Sequence, residues 1–108
     1  MTIAEVKTML ESIDGFGEKV AYHSFPVGDA PELPFICFIE TNSNNFSADG
    51  IAYADIHHIQ IELYSQYRDI ESENLIQDKL TENTIFYQKT LVYLDDEKCF
   101  ECIFEIEV

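Results

Sequence analysis

The sequence predicts a single α+β domain in which two helices pack on one face of a mostly antiparallel sheet. Its length of 108 residues leaves room for one core, and 46% hydrophobic residues are enough to fill it. Two stretches show helical spacing of apolar residues, and five others read as strands. Their order is helix, three strands, helix, two strands, for which helices layered on one face of an antiparallel sheet is the economical arrangement.

The first helix is predicted within residues 2 to 13. Thr2 and Glu5 stand at the spacing of a capping box, and Gly15 follows the predicted end. One apolar stripe at helical spacing is expected to face the core. Its members are Ile3, Val6, Met9, Leu10 and Ile13.

The next segment contains two predicted strands separated by an irregular crossover. "KVAYHSF", residues 19 to 25, reads as a strand, and "FPVGDAPELP" then carries three prolines and a glycine that exclude regular structure through residue 34. "FICFIET" is the second strand. Its nearly continuous apolar character predicts a central position with both faces covered.

"NSNNFSADG", residues 42 to 50, is predicted to be a long polar loop because it concentrates turn-forming residues. The third strand, "IAYADIHHIQIELY", follows it. Ile59, Ile61 and Leu63 alternate with polar residues, but the alternation changes phase upstream of His57. We therefore expect a bulge or bend near His57 and His58.

The rest of the chain predicts a helix and a hairpin. The second helix runs from about residue 70 to 80, with Asp69 as its N-cap and Asn83 near its end. Two final strands, at about 85 to 93 and 98 to 108, are joined by "LDDEK", which is short enough for a hairpin.

Charge limits the partners that the chain can have. Six Lys and Arg against 21 Asp and Glu give a formal net charge of −15, which repels nucleic-acid phosphates and anionic lipid and argues against sequence-reading DNA binding. The N-terminal stretch shows no signal peptide and no membrane span, so synthesis in a cytosol is expected.

Cys99 and Cys102 form a C-x-x-C pattern that raises the possibility of a zinc or redox site. No second pair exists, and Cys37 is the only other cysteine. The alternating sequence around them predicts a strand, on which residues three apart point to opposite faces. We expect structural cysteines, with Cys102 on the face of Phe104 and Ile106.

The polar loop contains two partial motifs, and neither predicts a functional site. Asn45, Ser47 and Asp49 precede Gly50 as in a calcium loop, but Ile56 stands where the bidentate Glu is required. Asn45 also begins a glycosylation acceptor pattern, for which no secretory signal is present.

Catalytic patterns are equally weak. His57 and His58 are adjacent on a predicted strand, so they cannot jointly chelate one ion, although a ligand set with distant carboxylates stays open. No nucleophile elbow, Walker loop or dinucleotide fingerprint is present. No catalytic residue, no cofactor and no metal site is expected, and an enzyme is not predicted.

The succession "HSFPVGDAPELPFICFIE", then "NNFSADGIAYADIHHIQIELYSQYRD", then a short acidic helix and a terminal "FECIFEIEV" carries a resemblance that extends over nearly all of the chain. It resembles the small tail completion or tail terminator proteins of long-tailed (siphovirus-type) bacteriophages and prophages of Gram-positive bacteria. The resemblance implies an α+β fold, no enzymatic activity and a homo-oligomeric ring, commonly of six subunits, that ends the tail tube and joins the tail to the head connector.

The resemblance also implies partners and contact segments. The partners would be the tail tube protein and the head-completion protein, with DNA passing through the channel unbound and no membrane contact. The protein would act in the virion tail after assembly in the host bacterial cytoplasm. The implied interface loop comprises Asn42, Asn44, Asn45, Phe46, Ser47 and Asp49, and the implied contact arm comprises Phe25, Pro26, Val27, Asp29 and Leu33.

Other interpretations stay open. Phe46 would anchor the loop on a neighbour, or it would fold back on its own core, and the proline-rich segment would be an arm or a plain crossover. The chain could be another tail or connector component. From a different class, it could be an acidic DNA mimic that inhibits a nucleic-acid-binding protein, which requires acids spread over one continuous face.

Overall fold

A computed structural model describes the backbone of residues 1–48 and 51–108 and the side chains of residues 1–43 and 56–108. The predicted α+β class and element order are confirmed. The elements are α1 (Ile3–Glu11), β1 (Val20–Tyr22), β2 (Phe35–Ala48), β3 (Ile51–Ser65), α2 (Ile70–Glu82), β4 (Tyr87–Leu94) and β5 (Cys99–Glu107). No helix within these ranges is long and apolar enough to cross a membrane.

Both helices begin at the predicted caps and α2 ends at the predicted Asn83, whereas α1 ends at Glu11 with Ser12 as its C-cap, before the predicted end near Gly15. The Thr2 hydroxyl accepts from the Glu5 N–H at 3.1 Å, and the Glu5 carboxylate accepts from the Thr2 N–H at 2.9 Å, which completes the capping box. These hydrogen bonds hold the pKa of Glu5 below its ordinary value. Asp69 accepts from the Ser72 N–H at 3.0 Å at the start of α2, and Asn83 is the C-cap of that helix.

The five strands form one sheet in the order β1-β2-β3-β5-β4, with β1 parallel to β2 and every other pair antiparallel. Helices α1 and α2 cover one face, which we call the inner face, and leave the opposite, open face without a helix. The inner-face core is built from Val6, Met9, Leu10, Ile36, Phe38, Ile59, Ile61, Leu63, Ile76, Leu80, Cys102, Phe104 and Ile106.

The first strand is shorter than predicted. Pairing with β2 is confined to Val20–Tyr22, and His23 then adopts a positive φ of 68°, which takes the chain out of strand conformation. Its N–H still donates to the Phe38 carbonyl at 2.7 Å. The second strand is interior but not central, since β3 occupies the middle of the sheet.

The predicted polar loop at residues 42 to 50 is wrong. The β2 strand continues through Asn42 to Ala48, and β3 resumes at Ile51, so most of the segment is a hairpin. Cross-strand hydrogen bonding to β3 outweighs the weak local preference of Asn and Ser against strands. Asp49 and Gly50 lie outside the described residues.

The irregularity predicted near the histidines is present, but it lies in the neighbouring strand. The register of β2 against β3 shifts between Glu40 and Asn42, which leaves Thr41 as an extra residue. Its hydroxyl donates to the His58 carbonyl at 3.2 Å. Strand β3 stays in register with β5 through this point.

Candidate interaction surfaces

A two-stranded hairpin extension projects from the end of the sheet. The last pairing of β3 with the C-terminal strand joins His57 and Val108, which exchange backbone hydrogen bonds of 2.8 and 2.9 Å. Beyond that point only residues 43–48 and 51–56 pair with each other. Six residues of strand reach about 20 Å. The described residues accordingly measure 50 Å along one axis and 29 and 24 Å along the others.

The predicted interface residues divide between the base and the length of this extension. Asn42 lies at the base, with an exposed side chain. Asn44, Asn45, Phe46 and Ser47 lie in its β2 strand, opposite Ile56, Asp55, Ala54 and Ala52 respectively. Asp49 lies outside the described residues. The backbone therefore brings the predicted residues onto one protruding element, as a strand and not as a loop.

Two histidine–carboxylate pairs stand at the base of the extension. His57 Nδ1 contacts the Glu40 carboxylate on the inner face. His58 Nδ1 lies 3.4 Å from Glu107 Oε1 on the open face. The prediction that the two rings point to opposite faces is confirmed, and each meets a different acid.

The predicted contact arm is anchored at its first residue, Phe25, and exposed at its tip. The Phe25 ring packs edge-on against Phe35, with centroids 5.2 Å apart. At the tip, the Asp29 N–H donates to the Pro26 carbonyl at 2.9 Å across a turn in which Gly28 has a φ of 86°.

This turn presents apolar side chains to solvent. Val27, next to the glycine, is fully exposed, and Leu33 is 38% exposed. The crossover thus packs Phe25 on the open face and leaves Val27 uncovered among the described residues, while Leu33 is partly covered. Pro26 and Asp29 shape the turn between them.

A polar cluster occupies the middle of the open face. The Tyr64 hydroxyl lies within hydrogen-bond range of Glu101, at 2.8 Å, and of Glu62. The Gln60 amide also donates to Glu62, at 2.8 Å. Burial, assisted by the charge of Glu62, raises the pKa of Glu101, although its hydrogen bond with Tyr64 acts in the opposite direction.

The three cysteines are all buried in the sheet. Cys99 pairs with Leu94 and Cys102 with Leu91, so the two lie on opposite faces of β5, and Cys102 shares its face with Phe104 and Ile106 as predicted. All three cysteines are buried and unpaired. Burial raises the pKa of Cys37 and of Cys102 to about 11.

An ion pair with a buried carboxylate joins α2 to β4, and it was not predicted from the sequence. Glu73, of which 2% of the side chain is exposed, lies 2.6 Å from Lys89 Nζ, outside the angular range of a hydrogen bond. Arg68 Nε lies 3.6 Å from the other carboxylate oxygen. Helical spacing places Glu73 on the stripe of Ile76 and Leu80, and that signal could have identified it as an inward-facing acid.

A shallow groove of about 790 Å³ runs along the end of the sheet beside Phe86 and Tyr87. His58, Glu105 and Glu107 are among its lining residues. Within the described residues, no group of three or more His, Cys, Asp or Glu side chains is placed to hold a metal ion.

No protein-family model matches the chain, and no curated protein sequence matches it.

Proposed function

We propose that the chain is a structural virion subunit that completes the tail tube of a long-tailed phage and joins it to the head connector, as a homo-oligomeric ring. The observation that carries this proposal is the hairpin extension, which reaches beyond the sheet at residues 43–48 and 51–56. A protruding hairpin can lie across a neighbouring subunit, and its Asn and Ser residues supply adaptable hydrogen bonds without charge.

The crossover segment supports the same proposal from the open face. Val27 stands fully exposed on a turn whose base is packed through Phe25 onto Phe35. An aliphatic side chain on a braced turn suits a contact with another subunit, because the turn loses little conformational freedom when it binds. The tail tube protein and the head-completion protein are the proposed partners at the two ends of the ring.

The net charge of −15 suits a ring through which DNA passes without adhering. A carboxylate-lined opening repels the phosphate backbone, so no specific DNA contact is proposed. The ring needs no cofactor and no catalytic residue.

A second candidate function is supported by the distribution of acids on the open face. Glu62, Glu101, Glu105 and Glu107 all point to that face, and none of the β2 to β5 residues directed there is Lys or Arg. A continuous acidic face is what a DNA mimic requires to occupy a basic nucleic-acid-binding cleft. Other acids, including Glu71 and Asp78, lie in α2 on the opposite side of the sheet, which weakens this alternative.

Salt dependence separates the two candidates. Ring formation must overcome repulsion among strongly acidic copies, so it should strengthen between about 50 and 500 mM salt as the screening length falls. A mimic binds its basic partner electrostatically and should weaken over the same range. The measurement is sedimentation velocity of the pure protein, with electron microscopy of the assembled species. A chain that never forms a ring, yet binds a basic nucleic-acid enzyme only at low salt, contradicts the tail proposal.

Removing the hairpin extension tests the observation on which the proposal depends. Because Asn44 pairs with Ile56, replacing residues 45–55 by Asn-Gly closes the strands with a two-residue turn. The sheet and its helices should fold normally by circular dichroism, while rings are lost. Rings of unchanged stability in this variant would show that the extension is only a connector.

A further inference from the structure

We propose that the outer edge of β4 pairs with β4 of a second copy of this chain, which extends the sheet across a two-fold axis. This inference concerns the free protein and does not rest on the tail assignment. It starts from the position of β4, whose eight residues lie at the margin of the sheet. No other strand of the described residues pairs with its outer side.

The register identifies the backbone groups that face outward. His57 and Val108 exchange both backbone hydrogen bonds, so the backbone groups of Val108 point toward β3. Every second residue before it, from Ile106 back to Phe100 in β5, points its backbone N–H and C=O toward β3 as well. The remaining residues of β5 point toward β4. Their partners are Gln88, Thr90, Val92 and Leu94.

The outward N–H and C=O groups of β4 therefore belong to Tyr87, Lys89, Leu91 and Tyr93. They form an uninterrupted row with the spacing of a sheet edge. Proteins usually protect such an edge with proline, a bulge or unpaired charge. This strand has no proline and pairs with β5 without a bulge, and the charge of its one lysine, Lys89, is matched by Glu73.

Charge favours a second copy as the occupant. In a chain of net charge −15, residues 83 to 94 contain no Asp or Glu. Two like-charged copies can approach through this segment without bringing carboxylates together. A basic partner would gain nothing from an edge without acids, and an acidic partner would find only Lys89, which is already paired.

In an antiparallel arrangement centred on Thr90, every residue of β4 with outward backbone groups is hydrogen-bonded to a residue of the second copy. Tyr87 then lies opposite Tyr93 of the second copy, and Lys89 opposite Leu91. The acidic turn at residues 95 to 97 falls opposite residues 83 to 85, which carry no charge. The exposed Leu91 and Tyr93, at 37% and 48%, supply apolar area beside the new strand pair.

Leu91→Pro tests the edge directly. It removes one outward N–H while leaving the hydrogen bonds from β4 to β5 in place, and we expect the dimer dissociation constant to rise at least about tenfold. The matched control, Leu91→Val, keeps that N–H, an apolar side chain and the β propensity and should stay dimeric. Sedimentation equilibrium over about 5 to 500 µM measures both by mass action. A monomeric wild-type chain, or an unchanged dissociation constant in Leu91→Pro, overturns the proposal.

A disulfide test covers the case in which Leu91→Pro fails to fold. In the proposed register the two Thr90 residues form a non-hydrogen-bonded pair, with Cα atoms about 4.5 Å apart, within disulfide range. Thr90→Cys should therefore cross-link two copies under mild oxidation. Gln88→Cys, exposed on the same face, would place its sulfurs about 13 Å apart and should not cross-link. Equal cross-linking of the two variants, or none with Thr90→Cys, contradicts the pairing.

Discussion

Lys89 of the edge strand β4 lies 2.6 Å from the buried carboxylate of Glu73 on α2, and this contact is the principal polar link between that helix and that strand. The ammonium also donates to Gln77 at 2.8 Å and lies 5.9 Å from the centre of the Phe104 ring. One lysine thus joins a helix, a strand and the aromatic core. Removing it would leave Glu73 buried with only Arg68 nearby, at 3.6 Å.

Lys89→Met should lower the free energy of unfolding by about 3 kcal/mol, because a buried carboxylate loses its nearest counter-charge. The corresponding fall in Tm is on the order of 10 °C for a domain of this size. Thermal denaturation followed by circular dichroism measures it.

The double variant Lys89→Met/Glu73→Leu is the informative control. An apolar pair of similar volume removes both desolvation costs, so its stability should return close to that of the wild type. A Lys98→Ala variant, in the exposed β4–β5 turn, should change little. Equal losses in the single and double variants would mean that Lys89 acts through packing and not through its charge.

Glu101 should make the protein more stable in mild acid than at neutral pH. Its pKa is raised in the folded state, so the stability contributed by its protonated form is fully present below the unfolded pKa of about 4.3 and is lost as pH rises through the folded value. Glu101→Gln should raise the Tm at pH 7 by a few degrees, and this advantage should shrink toward pH 4.

Glu105→Gln is the matched control, because Glu105 is an exposed acid on the same strand and face. It should show no comparable gain that disappears on acidification. If Glu101→Gln instead destabilises the protein equally at pH 7 and pH 4, the hydrogen bond from Tyr64 outweighs the burial of the carboxylate.

The buried thiols should resist modification in the native protein. A pKa of about 11 leaves Cys37 and Cys102 roughly two-hundredfold less thiolate at pH 8 than a free cysteine with its ordinary pKa of about 8.5. Labelling with a thiol-reactive dye should therefore be at least that much slower than in denaturant. An added surface thiol at an exposed position that is not expected to cross-link, Gln88→Cys, serves as the fast-reacting reference.

The C-x-x-C pair, Cys99 and Cys102, provides a test for metal binding. Cys99→Ala/Cys102→Ala should leave the metal content of the purified protein unchanged, since the two side chains lie on opposite faces of β5. Stoichiometric zinc that disappears in this variant would contradict a structural role.

The features that could be predicted correctly from the sequence are those determined by local contacts. The capping box of Thr2 and Glu5, the Asp69 cap and the opposite orientations of Cys99 and Cys102 depend on residues within three positions of each other. Such relationships follow from helical or strand periodicity alone.

The features that could not be predicted are those in which a residue distant in the sequence determines the local structure or contact. Asn42 and the residues after it have turn-forming side chains, but pairing with β3 keeps them in a strand. The change in apolar–polar alternation near His57 indicated an irregular strand pairing. It did not show that the extra residue is Thr41 in the neighbouring strand β2. Glu73 and Lys89 are 16 positions apart in different elements, so no local pattern joins them.

The strand order has a consequence for how the chain folds. The β2–β3 and β4–β5 hairpins each close locally, but the seam between β3 and β5 joins residues at least 35 positions apart, at Ser65 and Phe100. Closing that seam costs the most chain entropy, so we expect it to limit the folding rate. Leu63→Ala, at the seam, should slow refolding in stopped-flow measurements, whereas shortening the hairpin extension should leave the refolding rate nearly unchanged.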